Sequence, residues 1–362
     1  MNISKISEFF FKQSAINDSL LSCFAVKEAN SSREFSEIKE NLYRNSFQID
    51  RDRIIHTNSF RRLKHKSQVF VAPIGDHYTT RLTHVIEVSQ IGRTIARSLK
   101  LNEDLVEAAS LGHDLGHTPF GHIGETVLNE ILDDGFHHSK HSIKIINKLE
   151  KNGKGLNLTN FVIDAIERHS KGQGEFLNSK SVKGMTLEAQ IVRISDALAY
   201  LSHDIQDAKR SGFIKSKNIK GDIREFFNME ASKRINEFVT DVIVNSWDCN
   251  GDKQTSKIPI IKMSKDFSVR LIALRNFMFE NFYLPVSDSV QGKTASKIVS
   301  TLFDYYYNNF EKIPKESRFK LDLNDRATSI SDYICGMTDQ FAVREVEKIS
   351  PGISKTLNLK KI

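Results

Sequence analysis

Leu111-Gly-His-Asp-Leu-Gly-His-Thr-Pro-Phe-Gly-His-Ile-Gly-Glu125 decides how this chain is read. Its fifteen residues hold three histidines, an aspartate, a glutamate, four glycines and a proline. His113 and Asp114 close a segment, 104–114, whose apolar residues Leu105, Ala109 and Leu111 recur at helical spacing. Neighbouring helical side chains diverge by about 100°, but near a helix end both can reach one cation. Imidazole with carboxylate suits a borderline or hard divalent metal. Gly116 and Pro119 break the helix, and a second one is expected from Phe120 to about Leu132. On it His122 and Glu125 stand three apart, on one face, where a glutamate can fix the tautomer of a histidine and raise its pKa. A packed corner with hydrogen-bonded histidines would explain any one of these groups. Five ionisable groups around one helix break are costly to bury without a metal or ligand, so the stretch reads as a site.

Upstream, Arg81-Leu-Thr-His84 opens a helix whose apolar face, Val88, Ile91, Ile95 and Leu99, has helical spacing. His84 lies in line with that inward face. Alone it would be a core or capping histidine, but a helix–turn–helix return brings the His-Asp pair back towards it. Downstream, Leu187–Asp204 has the composition of a long buried helix, and Asp196 in its middle is hard to place on a surface. Asp196, Tyr200 and Asp204 recur every four residues and lie along one face, over roughly 12 Å at 1.5 Å per residue. Between these elements, Gly135–Ser142 carries His137, His138 and His141, and a further helix ends at His169. His169 reads as structural. The triple histidine leaves a second metal open. Lys151–Gly155 is a turn, residues 172–184 form a Gly/Ser/Lys-rich loop, and Pro73–Thr80 reads as a loop or short hairpin.

The string from His113 to His122, with Glu125 following, resembles the HD superfamily of metal-dependent phosphohydrolases. In its full length it is similar to the deoxynucleoside triphosphate triphosphohydrolase (dGTPase-like) branch. Tyr43–Phe70 and Ser331–Asp339 resemble further segments of that branch, so the likeness covers 42–345, strongly to 210 and thinly between 215 and 325. The resemblance implies an all-α fold, an HD-domain helical core with additional helices on its N- and C-terminal sides. It implies one divalent cation on His84, His113, Asp114 and Asp196, with Mg²⁺ or Mn²⁺ first and Co²⁺, Ni²⁺, Fe²⁺ or Zn²⁺ also compatible. It makes His122, oriented by Glu125, the catalytic pair. It places Gln68 and Val69 at the deoxyribose, Arg81, His117, His138 and Tyr200 at the phosphates, and Asp204 at the 3′-hydroxyl. The activity implied is hydrolysis of a 2′-deoxynucleoside 5′-triphosphate to deoxynucleoside and triphosphate, by a hexamer or tetramer. His137, Ser139 and His141 depart from the Phe-Glu-His-Asn usual at this point. Three alternatives remain: an HD enzyme acting on another nucleotide phosphoester (a monophosphatase or cyclic-nucleotide phosphodiesterase), a nucleic-acid-binding regulator, and a metal-stabilised scaffold without turnover.

The divisions expected are a lead-in over 1–41 that packs on the body or a neighbouring subunit, a catalytic domain over 42–345 with its metal core at 80–210, and a tail over 346–362. The lead-in reads as amphipathic and irregular. In the basic segment after it, Ile54, Ile55, Phe60 and Leu63 supply a buried face among arginines. Helices are expected over 220–250 and 265–285, and Ser331–Asp339 starts or spans a last one. Gly292-Lys-Thr294 is no P-loop, because the glycine needed at 287 is Ser287. A net charge of +7 and a pI near 9.1 favour anionic partners, nucleotides or single-stranded nucleic acid among them, without choosing one. No run of 18 apolar residues marks a membrane span. Cys23, Cys249 and Cys335, odd in number and far apart, fit free thiols in a reducing cytoplasm.

Overall fold

The computed structural model of the chain describes residues 3–37, 43–69, 78–170, 178–214, 219, 221, 223–253, 257–318 and 325–357. Pro73–His77 of the first expected loop and Gly172–Gly174 of the second lie outside them. Among the described residues the only β pairing is two isolated bridges, Arg33 with Thr159 and Ser67 with Thr80. The fold is all-α, as the sequence implied.

The N-terminal half runs through α1 (Ile3–Leu20), α2 (Ser46–Ile55), α3 (Asn58–Arg62), α4 (Arg81–Ser98), α5 (Glu103–Gly112), α6 (His122–Ile131), α7 (His138–Lys144), a single turn α8 (Glu150–Gly153), α9 (Asn160–Arg168) and α10 (Leu187–Arg210). The rest comprises α11 (Ile223–Asn228), α12 (Ala231–Asn245), α13 (Lys265–Met278), α14 (Leu284–Asp288), α15 (Val290–Asn308), α16 (Lys315–Arg318), α17 (Arg326–Cys335) and α18 (Asp339–Ile349). A π-helical turn, Phe279–Tyr283, joins α13 to α14.

Local chemistry sets the helix starts that matter. Thr80 and Thr83 form a reciprocal capping box at the start of α4, so Arg81 and His84 occupy its first turn. Asn102 caps α5 by accepting from the Leu105 amide at 3.1 Å, with Glu103 and Asp104 on the positive end of the dipole. Thr186 caps α10 through the Ala189 amide. Val88, Ile91, Ile95 and Leu99 are fully buried, so the stripe read from the sequence is the inward face of α4.

Two hydrophobic cores result. In the first, α5 is wrapped by α2, α4, α9 and α10. In the second, α15 packs on α6, α17 and α18. The motif loop connects them: Leu115 belongs to the first core and Phe120 to the second. That loop is therefore anchored by apolar burial at both ends, which fixes the polar groups between.

Two sequence readings change. Residues 3–20 form a helix rather than an irregular lead-in, with Phe9 and Phe11 on its outer side, 61% and 71% exposed. Ser331–Asp339 does not form one helix. It ends α17, breaks at Gly336, and restarts α18 where Thr338 accepts from the Phe341 amide.

Candidate active site

Five helices converge on the motif. The first turn of α4 supplies Arg81 and His84, the end of α5 supplies His113 and Asp114, α10 supplies Asp196, and α6 and α7 bring His122, Glu125 and His138. His84 Nε2 lies 3.2 Å from Asp196 Oδ1, and His113 Nε2 lies 3.8 Å from the same oxygen and 3.4 Å from Asp114 Oδ1. The four expected ligands are thus brought together.

The protonation pattern suits a cation. His113 Nδ1 donates to the Ser110 carbonyl at 2.7 Å, which leaves Nε2 with a lone pair. That Nε2 is buried and has no hydrogen-bond partner among the described residues. An orphaned buried nitrogen facing two carboxylates is the donor arrangement a divalent metal fills. Burial also holds His84 below its ordinary value, and so neutral. Burial would push Asp114 up, but His117, His113 and Arg81 outweigh it and hold the carboxyl well below the usual range. The set of His84, His113, Asp114 and Asp196 fits a divalent cation.

Beside it runs a second group. Glu125 touches three histidines: His122 Nδ1 at 3.1 Å, His138 Nδ1 at 2.8 Å and His117 Nδ1 at 4.0 Å. It also accepts from the His138 amide at 2.9 Å. Burial raises its pKa, yet His138, with the hydrogen bonds from His122 and His138, keeps it ionised far into acid. His117 stacks on His138 with centroids 4.0 Å apart, and burial with nearby Arg81 and His138 holds it neutral. Only His122 of this group is exposed, its side chain 54% accessible. An exposed imidazole held by a buried carboxylate can give or take a proton at a reacting atom.

Arg81 is 1% exposed and gives one guanidinium nitrogen to Asp114 Oδ2 at 2.7 Å. Its Nε and Nη2 are buried without partners among the described residues, and so is the side-chain oxygen of Gln68. Val69 is half-buried against the first core. Gly121 lets Arg81 in: at its φ of +58°, a Cβ would stand 2.8 Å from Arg81 Nη2.

Family profiles agree with this layout. The HD domain profile matches residues 81–217, and the phosphohydrolase-associated domain profile matches 261–348. A deoxyguanosinetriphosphate triphosphohydrolase-like protein of Caldanaerobacter subterraneus is 46% identical over 330 residues, covering 91% of this chain and 92% of its own. The chain belongs to this dGTPase-like family of HD-domain phosphohydrolases. A member from Bartonella quintana is 37% identical over 400 residues, covering 96% of this chain and 98% of its own. One from Geobacter metallireducens is 35% identical over 365 residues, covering 91% and 94%. Among the described residues no helix is long and apolar enough to cross a membrane.

In this dGTPase-like chain Asp204, expected at the sugar, is fully buried, with Oδ2 accepting from Tyr283 Oη at 2.7 Å and Oδ1 2.8 Å from His203 Nδ1. His169 is structural in that its Nδ1 donates to the Ile166 carbonyl at 2.6 Å, yet it also enters the cluster, Nε2 to Nε2 with His138 at 3.2 Å. Tyr200 stands beside His84 and His122, at 6.4 and 6.2 Å between ring centroids. Burial and Asp204 push its phenol well above the ordinary value, so it remains a donor.

Four residues were not singled out. They are His203, Tyr283, Lys66 and Asp339. His203 had a legible signal, since His203-Asp204 is a second His-Asp pair in the chain. The others make contacts across long stretches of chain, with no local pattern to announce them.

Proposed function

We propose that the chain hydrolyses 2′-deoxynucleoside 5′-triphosphates to deoxynucleoside and inorganic triphosphate, with one divalent cation, Mg²⁺ or Mn²⁺ foremost, held by His84, His113, Asp114 and Asp196. The observation that carries this reading is the buried edge of Arg81, whose two unpartnered nitrogens lie beside a His/Asp cluster built for a cation. A cationic fork of that kind is costly to bury unless a phosphate completes it. The relatives' names, deoxyguanosinetriphosphate triphosphohydrolase-like, support the substrate class.

The cation would supply Lewis-acid polarisation of the phosphate being cleaved. Arg81, His117, His138 and Tyr200 donate to the triphosphate and offset the charge that builds on it. Water attacks the α-phosphorus, the bond from that phosphorus to the 5′-oxygen breaks, and the new oxygen leaves on the triphosphate. His122, oriented by Glu125, gives the departing 5′-oxygen its proton. Gln68 hydrogen-bonds the sugar hydroxyl through its free side-chain oxygen, while Val69 fills the space a 2′-hydroxyl would need.

Chromatography of products from each dNTP and from GTP, with Mn²⁺ present, tests the reading. Triphosphate and deoxynucleoside from dNTPs, with little turnover of GTP and none by His122→Ala, are expected. Monophosphate with pyrophosphate, or single phosphate, would show that another bond is cut. Gln68→Ala should lose the preference for the deoxy sugar, since an unpartnered polar group in a sugar pocket discriminates strongly.

A further inference from the structure

Two backbone amides that flank the reacting groups are held by one side chain from far along the chain. The Ser67 amide donates to Asp339 Oδ2 and the Phe120 amide to Asp339 Oδ1, each at 2.9 Å. The Ser67 hydroxyl donates to the same Oδ2. Ser67, Phe120 and Asp339 are each at most 7% exposed, so both amides need an acceptor within the protein, and one carboxylate serves both. Gln68 follows Ser67 directly, and His122 stands two residues beyond Phe120. Asp339 opens α18, yet the cap of that helix is Thr338, which accepts from the Phe341 amide at 3.3 Å. The bonds that Asp339 accepts come instead from the two site segments.

The turn that Asp339 holds is an unfavourable one. Phe120 has a φ of +61°, in the left-handed region that a bulky residue rarely adopts, and Gly121 follows at +58°. Such a conformation persists only where its surroundings over-determine it. Here the Phe120 side chain is buried in the second core while its amide is fixed on Asp339. Gly121 lies directly on the Gln68 segment: a Cβ there would stand 3.1 Å from the Gln68 carbonyl oxygen and 3.3 Å from that of Ser67. Lys66 closes the same junction, donating to the His117 carbonyl and, at 2.7 Å, to the Cys335 carbonyl. We infer that Asp339 is a positioning residue of the site, setting Gln68 against the loop that carries His122, so that the start of α18 governs sugar selection and turnover. This rests on the proposed roles of Gln68 and His122. Asp339 acts through the two backbones and not on the substrate.

The test compares wild type, Asp339→Asn and Lys66→Met. In Asp339→Asn one oxygen remains for two amides, and the side-chain NH₂ that replaces the other sets a donor against a donor. With Mn²⁺ present, kcat/KM is measured for the dNTP turned over best and for the ribonucleotide of the same base. The ratio of the two does not depend on how much of a preparation is folded. A merely structural role therefore lowers the melting temperature and leaves the ratio where it was. A displacement of about 1 Å at reacting groups costs on the order of 10²-fold in rate, so kcat/KM for the dNTP should fall about that far and the ratio by about 10-fold or more. Lys66→Met keeps Asp339 but releases the His117 carbonyl. It should move the ratio in the same direction, and it decides the matter if Asp339→Asn does not fold. Hydrogen exchange on nucleotide-free protein reads the junction without substrate: peptides over 63–69 and 115–123 should exchange faster in the variants, and those of α9 should not. An unchanged ratio, or unchanged exchange over those two peptides, overturns the inference. If wild type releases no triphosphate from any dNTP, the proposed function fails, and exchange alone decides whether Asp339 holds the two segments.

Discussion

Gly116→Ala should damage catalysis far more than cation binding. Gly116 sits inside the motif, pressed against α7. A Cβ built on it would stand 2.2 Å from the His138 carbonyl oxygen, 2.3 Å from the Ser142 amide nitrogen and 2.8 Å from the His141 carbonyl carbon. All three are backbone atoms, so no side-chain rotation relieves the contact. An ordinary van der Waals separation is about 3.5 Å, and α7 would have to retreat by roughly 1 Å or more. Retreat breaks the bond from Gly116 N to Ser142 Oγ at 2.8 Å and the contact of His141 Nδ1 with the Gly116 carbonyl at 3.0 Å. Overpacking of this kind costs about 1–3 kcal/mol. Because His138 begins α7, its ring moves too, and a misplacement of about 1 Å at a reacting site costs on the order of 10²-fold in rate. Of His84, His113, Asp114 and Asp196, α7 bonds only to the backbone of His113, through Ser142 Oγ to its carbonyl at 2.9 Å, and to none of the four side chains' metal-facing atoms. We expect kcat to fall about 10²-fold, the urea midpoint to drop, and the Mn²⁺ Kd to change by less than about threefold. Urea melts, steady-state kinetics and calorimetry on one preparation would show it. A variant with wild-type kcat and midpoint would refute the packing argument, and a lost Mn²⁺ site would refute the separation of the two groups.

Arg81→Lys keeps a charge near Asp114 but removes the two-nitrogen edge, and a hydrogen bond to a charged group contributes about 1.5–3 kcal/mol. KM for a dNTP should therefore rise by about 10-fold or more, and an unchanged KM in steady-state kinetics would dissociate Arg81 from the phosphates. His141, buried beside Asp332 at 3.3 Å, carries a pH signature. Burial pushes its imidazole down, but Cys335 and Asp332 push it up to about 10 from an ordinary 6.5. Its stabilising share is whole below 6.5 and is lost as pH rises towards 10. Urea unfolding at neutral and alkaline pH should show wild type losing stability over that window and Asp332→Asn losing less of it. Parallel curves would remove this ion pair from the account.

Local patterns made the His/Asp cluster legible. The spacing of Val88, Ile91, Ile95 and Leu99 oriented α4, and the His113-Asp114 pair at a helix end brought imidazole and carboxylate to one point. Asp196 stood out because a carboxylate interrupts a buried helix. What escaped was tertiary pairing. The bond from Tyr283 to Asp204 joins residues 79 apart, and nothing in the sequence around Asp204 announces that partner. Phe9, Phe10 and Phe11 disguised α1, because three adjacent aromatics break the one-faced pattern of a surface helix. Gly336 hid the break between α17 and α18 inside a segment that resembled one element.

The phosphohydrolase-associated half is not an appendage to the site. Asp339, at the start of α18, accepts from the Ser67 amide at 2.9 Å and from the Phe120 amide at 2.9 Å, tying the residue before Gln68 to the motif loop. Lys66 is buried and spans the same junction, donating to the His117 carbonyl and, at 2.7 Å, to the Cys335 carbonyl. Asp332 lies 3.3 Å from His141 and 2.6 Å from Lys144, which fixes α7 from behind. Tyr283 donates to Asp204 Oδ2 on α10 at 2.7 Å. Each contact joins the C-terminal helices to a backbone segment or side chain that carries part of the chemistry, and buried charge-assisted bonds of this kind lose most when one partner is removed. Under the proposed function the HD segment supplies the ligands, and the C-terminal helices hold in place the segments that carry the sugar, phosphate and proton-transfer groups.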